Sequence, residues 1–248
     1  MRRLALVAVL LGLGGAGALF FLRSDAPPLP PGFSSIREVA GYQDPKLLAR
    51  AWALPVAGTF SRPLLAQTNP SSCGPASVAN VLRSAGAPMA AEDVAAHGSG
   101  CVAGFCFGGL TLAQLGEAAR AAAPGWRVTE LHPETLEGFR EELRRKEGRL
   151  IINFHRRPLF GAGGGHHSPI GGYLEKEDLV FVLDVNERFG PWLVPSARLF
   201  EAMDTMDGTQ KRGLLRLCHE RQELPLPEGE GELAPRGEKR VGERANCL

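Results

Sequence analysis

The chain carries almost no net charge and few cysteines. Its 28 lysines and arginines against 27 aspartates and glutamates leave a formal net charge of +1 over 248 residues. A balance this close to neutral gives no electrostatic attraction to a polyanion, so we expect no nucleic-acid partner. Five cysteines form at most two pairs within the chain. At least one thiol therefore stays free or pairs between chains.

Long uncharged runs are scarce, and the clearest one lies at the N-terminus. The run 4–22 is flanked by Arg2, Arg3 and Arg23. As a helix it would span roughly 28 Å, close to the hydrocarbon thickness of a bilayer. We therefore expect residues 1–25 to be a cleaved signal peptide or an uncleaved membrane anchor, and the chain to lie outside the cytoplasm, in the periplasm.

Composition divides the remaining chain into three parts. Residues 26–42 are a proline-rich linker, which includes "APPLPPGFSS". Residues 43–220 have the length and hydrophobic content of one folded domain with its own core. Residues 221–248 are rich in proline, glycine and charge, which favours a disordered tail. No internal repeat is present.

Helix signals dominate the first half of the domain. Asp44 and Pro45 predict a helix start, and Thr111 with Gln114 forms a capping box before a second helix. A third helix is predicted over 75–83, and "PETLEGFREELRRKEG" is amphipathic. Strand signals come later, in "RLIINF", in the hairpin "SPIGGY" and "LVFVLDV", and in "GLLRLCH". This order predicts an α+β fold.

Cys73 stands at the start of a predicted helix, in "QTNPSSCGPASVANVL". The partial positive charge of a helix N-terminus lowers the pKa of a thiol and favours the nucleophilic thiolate. We expect Gly74 to leave room for a substrate backbone and Gln67 to supply an oxyanion donor. Alone, Cys73 is equally well interpreted as a buried inert thiol.

A thiol nucleophile needs a base and a group that orients the base. His166 and His167 precede one strand of the predicted hairpin, and Asp184 ends the other. Taken singly, these are ordinary loop or strand-end residues. Because a carboxylate on an apolar strand face is costly unless paired, we expect a histidine across the hairpin to be its partner.

Several ordered motifs resemble the phytochelatin synthase family. They are "QTNPSSCGPASVANVL", "INF", "GGGHHSPIGGYL", "LVFVLDV" and "WLVPSARLFEAMDTMDGTQKRGLL", which together cover roughly residues 62–217. The resemblance implies a papain-like fold, with an N-terminal helical lobe and a C-terminal antiparallel sheet lobe. It also implies that a cysteine attacks the Cys–Gly bond of glutathione, releases glycine and forms a γ-glutamylcysteinyl thioester. Water then gives γ-glutamylcysteine, and a second glutathione gives a phytochelatin.

The resemblance assigns roles to individual residues. Cys73 matches the nucleophile, Gln67 the oxyanion donor, His166 the catalytic histidine and Asp184 the orienting acid. The residues that resemble the γ-glutamylcysteine pocket are Asn153, Gly165, Asp207 and Arg212. In that pocket we expect the guanidinium of Arg212 to bind the α-carboxylate of the substrate and the carboxylate of Asp207 to bind its amino group.

The sequence departs from the family at three points. His167 replaces an aromatic residue after the catalytic histidine, and Leu214 and Leu215 stand where members often carry an aromatic. No cysteine-rich C-terminal domain follows, which is the pattern of the short bacterial relatives. We therefore expect hydrolysis to dominate over peptide synthesis. A papain-like leader peptidase and an inactive module that binds thiol peptides are the alternatives.

The pair Cys101 and Cys106 predicts a small disulfide, with a metal-binding pair as the alternative. No metal site and no cofactor are predicted. Heavy metals are expected only as thiolate complexes of glutathione, the substrate. The sequence does not determine the oligomeric state, and a homodimer is compatible with it.

Overall fold

The computed structural model describes residues 27–29 and 31–219. The predicted leader, 1–25, and the predicted tail, 221–248, lie outside these residues. Across the described ranges no helix combines the length and the apolar character needed to cross a bilayer.

Seven α-helices and ten strands make up the described part. In chain order they are α1 (Pro45–Trp52), α2 (Cys73–Ser84), α3 (Ala91–Ala95), β1 (Cys101–Val102), β2 (Phe105–Cys106), α4 (Leu112–Ala122), β3 (Trp126–Leu131), α5 (Leu136–Arg144), β4 (Arg149–His155), α6 (Arg157–Phe160), β5 (Gly165–Leu174), β6 (Leu179–Leu183), β7 (Pro191–Pro195), α7 (Ser196–Met203), β8 (Met206–Asp207), β9 (Gln210–Lys211) and β10 (Leu214–His219).

A six-stranded antiparallel sheet is the centre of the fold. Its strand order is β3-β10-β4-β5-β6-β7. In the register of β4 and β5, Phe154 lies opposite His166 and Asn153 opposite His167. The sheet therefore places the histidine pair on a central strand, where neighbours on both sides restrict its movement.

Helices cover both faces of the sheet. Alternation along β4 sends Ile151 into one apolar cluster with Val78 and Leu115, and Ile152 into a second cluster with Phe139 and Leu199. Fully burying one such side chain stabilises the fold by about 1.5–3 kcal/mol. The site thus lies on a sheet held from both sides, since α5 and α7 pack on the face opposite α2.

The α+β prediction is confirmed, and so are the local helix signals. The side chain of Asp44 caps α1, and Thr111 with Gln114 forms the capping box of α4. The predicted helix over 75–83 was too short, because α2 begins at Cys73 and ends at Ser84. Strands β3 and β7 and helix α7 were not predicted, and α5 and α7 extend the helical layer beyond the expected N-terminal lobe.

Candidate active site

Cys73 is the first residue of α2 and is 7% exposed. The preceding residue, Ser72, makes no capping bond to the helix. Its hydroxyl instead donates to the carbonyl of Asn69 and accepts from the amides of Thr68 and Asn69. The first turn of α2 therefore keeps its amide dipoles directed at the region of the thiol.

Gly74 lies where α2 approaches α4. A Cβ atom at this position would lie 3.0 Å from Cδ1 of Leu115, so a larger residue would require Leu115 to shift. Close packing is therefore one reason for glycine here. That Gly74 also leaves room for a substrate backbone stays a prediction.

The structure brings His166 and Asp184 together across the hairpin of β5 and β6. Nε2 of His166 lies 3.0 Å from Oδ1 of Asp184, and both residues are buried. The other ring nitrogen, Nδ1, is left for the sulfur of Cys73. Burial lowers the pKa of His166, but the attraction of Asp184 and of Cys73 outweighs it, and the pKa is raised. The charged imidazolium is therefore more favoured here than in a free histidine.

The carboxylate of Asp184 accepts hydrogen bonds from four residues. Besides His166, Nη2 of Arg156 lies 2.8 Å from each carboxylate oxygen, and Nε1 of Trp192 and the amide of Asn186 each lie 2.9 Å away. Burial raises the pKa of Asp184, yet these partners, above all His166 and then Arg156, lower it to about 2. The carboxylate therefore stays ionised and holds the imidazole in one orientation.

The environment of Cys73 favours its thiolate. Burial alone raises the pKa of this thiol, but interactions with His166 and then His167 overcome that effect and hold the pKa well below the ordinary value of 9.0. A buried thiolate next to an imidazolium is the arrangement that activates cysteine for acyl transfer. Within the described residues, Cys73 is the free thiol.

His167 is a second imidazole at the same sulfur. Its Nδ1 lies 4.0 Å from Sγ of Cys73, and it is 3% exposed. Its Nε2 is buried and has no hydrogen-bond partner among the described residues. The residue that departs from the family motif therefore lies against the sulfur of Cys73.

Cys73 and His167 line a cavity of about 290 Å³. Gly165, Asp207 and Arg212 line the same cavity. A Cβ atom on Gly165 would come within 2.6 Å of Nη1 of Arg212, so this position must be glycine for the guanidinium to lie where it does. Three of the four predicted pocket residues thus surround one space next to the nucleophile.

The fourth residue, Asn153, is fully buried beneath that cavity. Its Oδ1 accepts from Nη1 of Arg212 at 2.6 Å, and its Nδ2 donates to Oδ2 of Asp207 at 2.9 Å. Arg212 also binds both oxygens of Asp207, at 3.0 and 3.1 Å. Arg212 and Asp207, the two residues expected to bind the substrate charges, therefore pair with each other here, and a ligand bound to both would have to exchange with this ion pair.

Gln67 lies beside the site rather than in the cavity of Cys73. It lines a neighbouring cavity of about 480 Å³ together with His166 and Arg156. Its Nε2 donates to the carbonyl of Asn69 at 2.9 Å, while its Oε1 is buried without a partner. Because Nε2 carries two N–H groups, the bond to Asn69 leaves the second one available to an oxyanion.

Two residues that support the site were missed by the sequence analysis. Arg156 holds Asp184, and its guanidinium lies 3.8 Å from the ring centre of Phe189. Trp192 is fully buried and donates to the same carboxylate. The signal for Arg156 was a pair of arginines directly after the buried strand β4, where a charge needs a partner. Trp192 carried no signal beyond its hydrophobicity.

Cys101 and Cys106 form a disulfide that closes the hairpin of β1 and β2. The hairpin rests on the loop before Cys73, because Ser71 Oγ accepts from the amide of Cys106 and Asn69 Nδ2 donates to the carbonyl of Gly104. Residues 108–110, which follow it, line the cavity of Cys73. In the described part, no group of three or more His, Cys, Asp or Glu side chains could hold a metal ion.

Comparison with known structures gives distant matches. The peptidase domain of Streptococcus ComA, a bi-functional ABC transporter involved in quorum sensing, has a TM-score of 0.44 at 18% identity and covers 62% of this chain and 96% of that domain. A double glycine motif protease from an AMS/PCAT transporter, solved with its leader peptide, has a TM-score of 0.44 at 17% identity and covers 62% of this chain and 89% of that one.

Sequence comparison gives closer matches. Glutathione gamma-glutamylcysteinyltransferase 3 of Lotus japonicus is 33% identical over 104 residues, which is 40% of this chain and 22% of that protein. Glutathione gamma-glutamylcysteinyltransferase 1 of Triticum aestivum is 38% identical over 103 residues, which is 39% of this chain and 20% of that protein. The matched part is thus about a fifth of the length of these relatives. The family model described as phytochelatin synthase matches residues 103–214, and the family resemblance read from the motifs of this sequence is confirmed over that segment.

Proposed function

We propose that the chain hydrolyses glutathione to glycine and γ-glutamylcysteine through a thioester on Cys73, with transfer to a second glutathione as a minor route. The observation that carries the proposal is the buried arrangement of Cys73, His166 and Asp184 beside a cavity that contains paired charges. The names of the curated relatives, glutathione gamma-glutamylcysteinyltransferases, support the substrate.

The first half of the reaction follows from the protonation states. The thiolate of Cys73 attacks the carbonyl carbon of the Cys–Gly bond, and negative charge develops on the carbonyl oxygen near the first turn of α2. The imidazolium of His166 gives its proton to the departing glycine nitrogen. The C–N bond breaks, glycine leaves, and a γ-glutamylcysteinyl thioester remains on the sulfur.

Recognition of the γ-glutamyl group rests on Arg212 and Asp207. Its α-carboxylate and α-ammonium present a negative and a positive charge on one carbon atom. That pair complements the guanidinium and the carboxylate that bind each other in the cavity. Substrate would replace one internal ion pair by two, and the buried Nε of Arg212, which has no partner among the described residues, supplies a further donor.

Water completes the second half in the hydrolytic route, and the amine of a second glutathione completes it in the transfer route. Heavy metals enter this scheme as thiolate complexes of glutathione, and so as substrate. No resident metal takes part in these steps.

The test is analysis by mass spectrometry of the purified protein with glutathione. We expect free glycine, γ-glutamylcysteine and a γ-glutamylcysteinyl adduct on the peptide that contains Cys73. The variant Cys73→Ala should show none of these, and the α-glutamyl isomer of glutathione is the matched substrate control. Undiminished glycine release by Cys73→Ala would rule the proposal out. Cleavage after Gly-Gly in a leader peptide, with glutathione intact, would favour a peptidase, and tight binding without an adduct would favour a binding module.

We also propose an extracytoplasmic location for the domain. The disulfide between Cys101 and Cys106 supports it, since such bonds persist in oxidising compartments. A fluorescent fusion that stays in the cytoplasm when residues 1–25 are present would contradict this location.

A further inference from the structure

Two imidazoles lie beside the sulfur of Cys73, and they differ in their hydrogen-bond partners. His166 is anchored, because Asp184 binds its Nε2 at 3.0 Å. His167 has no such anchor. Its Nδ1 faces the sulfur of Cys73 at 4.0 Å, and its Nε2 is buried with no partner within the described residues. The base and its orienting acid are therefore already complete without His167.

The two imidazoles also line different cavities. His166 lines the space of about 480 Å³ that also contains Gln67 and Arg156. His167 lines the space of about 290 Å³ that contains Cys73, Asp207 and Arg212. On the proposed function, the γ-glutamylcysteinyl group bound to the sulfur extends into the smaller space. His167 therefore lies on the acyl side of the thioester, and His166 lies on the side from which glycine departs.

We propose that His167 is a second catalytic base, one that activates water for hydrolysis of the thioester on Cys73. This inference rests on the proposed function. The water oxygen forms a bond to the thioester carbonyl carbon while one of its O–H bonds breaks, and that proton passes to the imidazole of His167. The C–S bond then breaks, and Sγ leaves as a thiolate beside the new imidazolium. The acid product gives its remaining carboxyl proton to solvent.

The spacing at the sulfur favours water as the nucleophile. A separation of 4.0 Å between Nδ1 and Sγ is long for a hydrogen bond, but it lets a small molecule touch both the imidazole and the thioester carbon. A water molecule occupies about 30 Å³, so it fits beside an acyl group in a cavity of about 290 Å³. The amine of a second glutathione is carried on a whole tripeptide, so it needs more of this space than a water molecule does. A base on the acyl side of the thioester therefore raises the rate of hydrolysis relative to the rate of transfer.

The variant His167→Phe tests the inference, because a phenyl ring fills a similar volume and accepts no proton. The measured quantity is the ratio of γ-glutamylcysteine to the transfer product at one glutathione concentration. This ratio does not depend on how fast the acyl-enzyme forms. We expect His167→Phe to lower the ratio about tenfold or more and to raise the fraction of protein that carries the adduct. The exposed His97→Phe is the matched control and should keep the wild-type ratio.

Chemical rescue distinguishes a catalytic role of His167 from a purely structural one. In His167→Ala, added imidazole should restore the share of product that goes to water. If His167→Phe fails to fold, His167→Gln replaces it, since the amide is polar and of similar size but not basic. A wild-type ratio in a folded, acylated variant overturns the role of His167 and leaves the proposed function intact. A wild-type protein that forms no adduct and releases no glycine overturns the proposed function, and this inference with it.

Discussion

Gly165 is the residue on which the position of the cavity guanidinium depends most directly. An added Cβ would lie 2.6 Å from Nη1 and 2.8 Å from Nη2 of Arg212, both well inside contact distance. The guanidinium has little freedom to retreat, because Asn153 and Asp207 hold it from the other side. A methyl group here must therefore break at least one of those charge-assisted bonds.

We expect Gly165→Ala to raise KM for glutathione about ten- to a hundredfold, which corresponds to losing one hydrogen bond to a charged group, about 1.5–3 kcal/mol. The value of kcat should change much less, because Cys73, His166 and Asp184 keep their contacts. Steady-state kinetics of glycine release measures both constants.

The neighbouring glycine supplies the control for that prediction. A Cβ on Gly164 would meet nothing within 4 Å. Gly164→Ala should therefore retain the wild-type KM in the same assay. Equal KM values for the two variants would show that Arg212 does not bind the substrate.

The hairpin of β1 and β2 is the element that shapes one wall of the cavity. The disulfide between Cys101 and Cys106 closes it, and two hydrogen bonds, from Asn69 to Gly104 and from Cys106 to Ser71, join it to the loop before the nucleophile. The chain then runs directly into residues 108–110, which line the cavity. The position of residues 108–110 in the cavity wall therefore depends on the hairpin directly before them.

Replacing both cysteines by serine should loosen this wall. For so short a loop the chain-entropy model gives a loss of about 2 kcal/mol in the free energy of unfolding. We expect a lower urea midpoint and a higher KM for glutathione. The variant Val102→Ser, at a 67% exposed position of the same hairpin, is the control and should change neither. An unchanged urea midpoint in the double variant would show that hydrogen bonds alone hold the hairpin.

Elements that are specified by neighbours in sequence were predictable, and elements that are specified across the sheet were not. The cap at Asp44 and the capping box at Thr111 depend on side chains two or three residues away. Strand β3 (Trp126–Leu131) is half exposed and carries charged residues, so its position depends largely on pairing with β10, which is distant in sequence. Local sequence patterns do not show which distant strand a segment pairs with.

The same distinction applies to the site. Cys73, His166 and Asp184 were predicted because each lies in a recognisable local motif. The contact of Arg156 with Asp184 joins residues 28 positions apart in sequence. The contact of His167 with Cys73 spans 94 positions. The first contact depends on the pairing of β4, β5 and β6, and the second on the packing of α2 against β5, neither of which the sequence displays.

At the scale of the whole molecule, Asp184 joins elements from across the fold. It follows β6 and binds His166 on β5, Arg156 after β4 and Trp192 on β7, so its charge connects the four neighbouring strands β4 to β7. Folding lowers the pKa of this carboxyl from an ordinary value of 3.8 to about 2. A group whose pKa is lowered by folding adds stability above its unfolded pKa, and that stability is lost as pH falls through the folded pKa.

The window for this loss runs from about pH 4 down to about pH 2, and its size is about 2 kcal/mol. His166 does not interfere there, since its raised pKa removes stability only when pH rises. We expect the free energy of unfolding, measured by urea titration, to fall by at least this amount across the window, because the lowered pKa values of Asp178, Glu137 and Glu177 add to the loss. Asp184→Asn should be less stable at pH 7 by about 3–5 kcal/mol, because Arg156 is left buried without its partner. That variant should also show a smaller fall between pH 4 and pH 2.

Two further variants isolate the contribution of this carboxylate. Asp204→Asn removes an exposed carboxylate that pairs with Lys211, and it should leave the acid dependence unchanged. Trp192→Phe removes one donor to Asp184 and keeps an aromatic ring, so the folded pKa of Asp184 should rise toward 3.8, and the loss of stability should be smaller and end at a higher pH. If Asp184→Asn and wild type lose stability in parallel between pH 4 and pH 2, the charge of Asp184 does not connect the strands, and its role is confined to orienting the imidazole of His166.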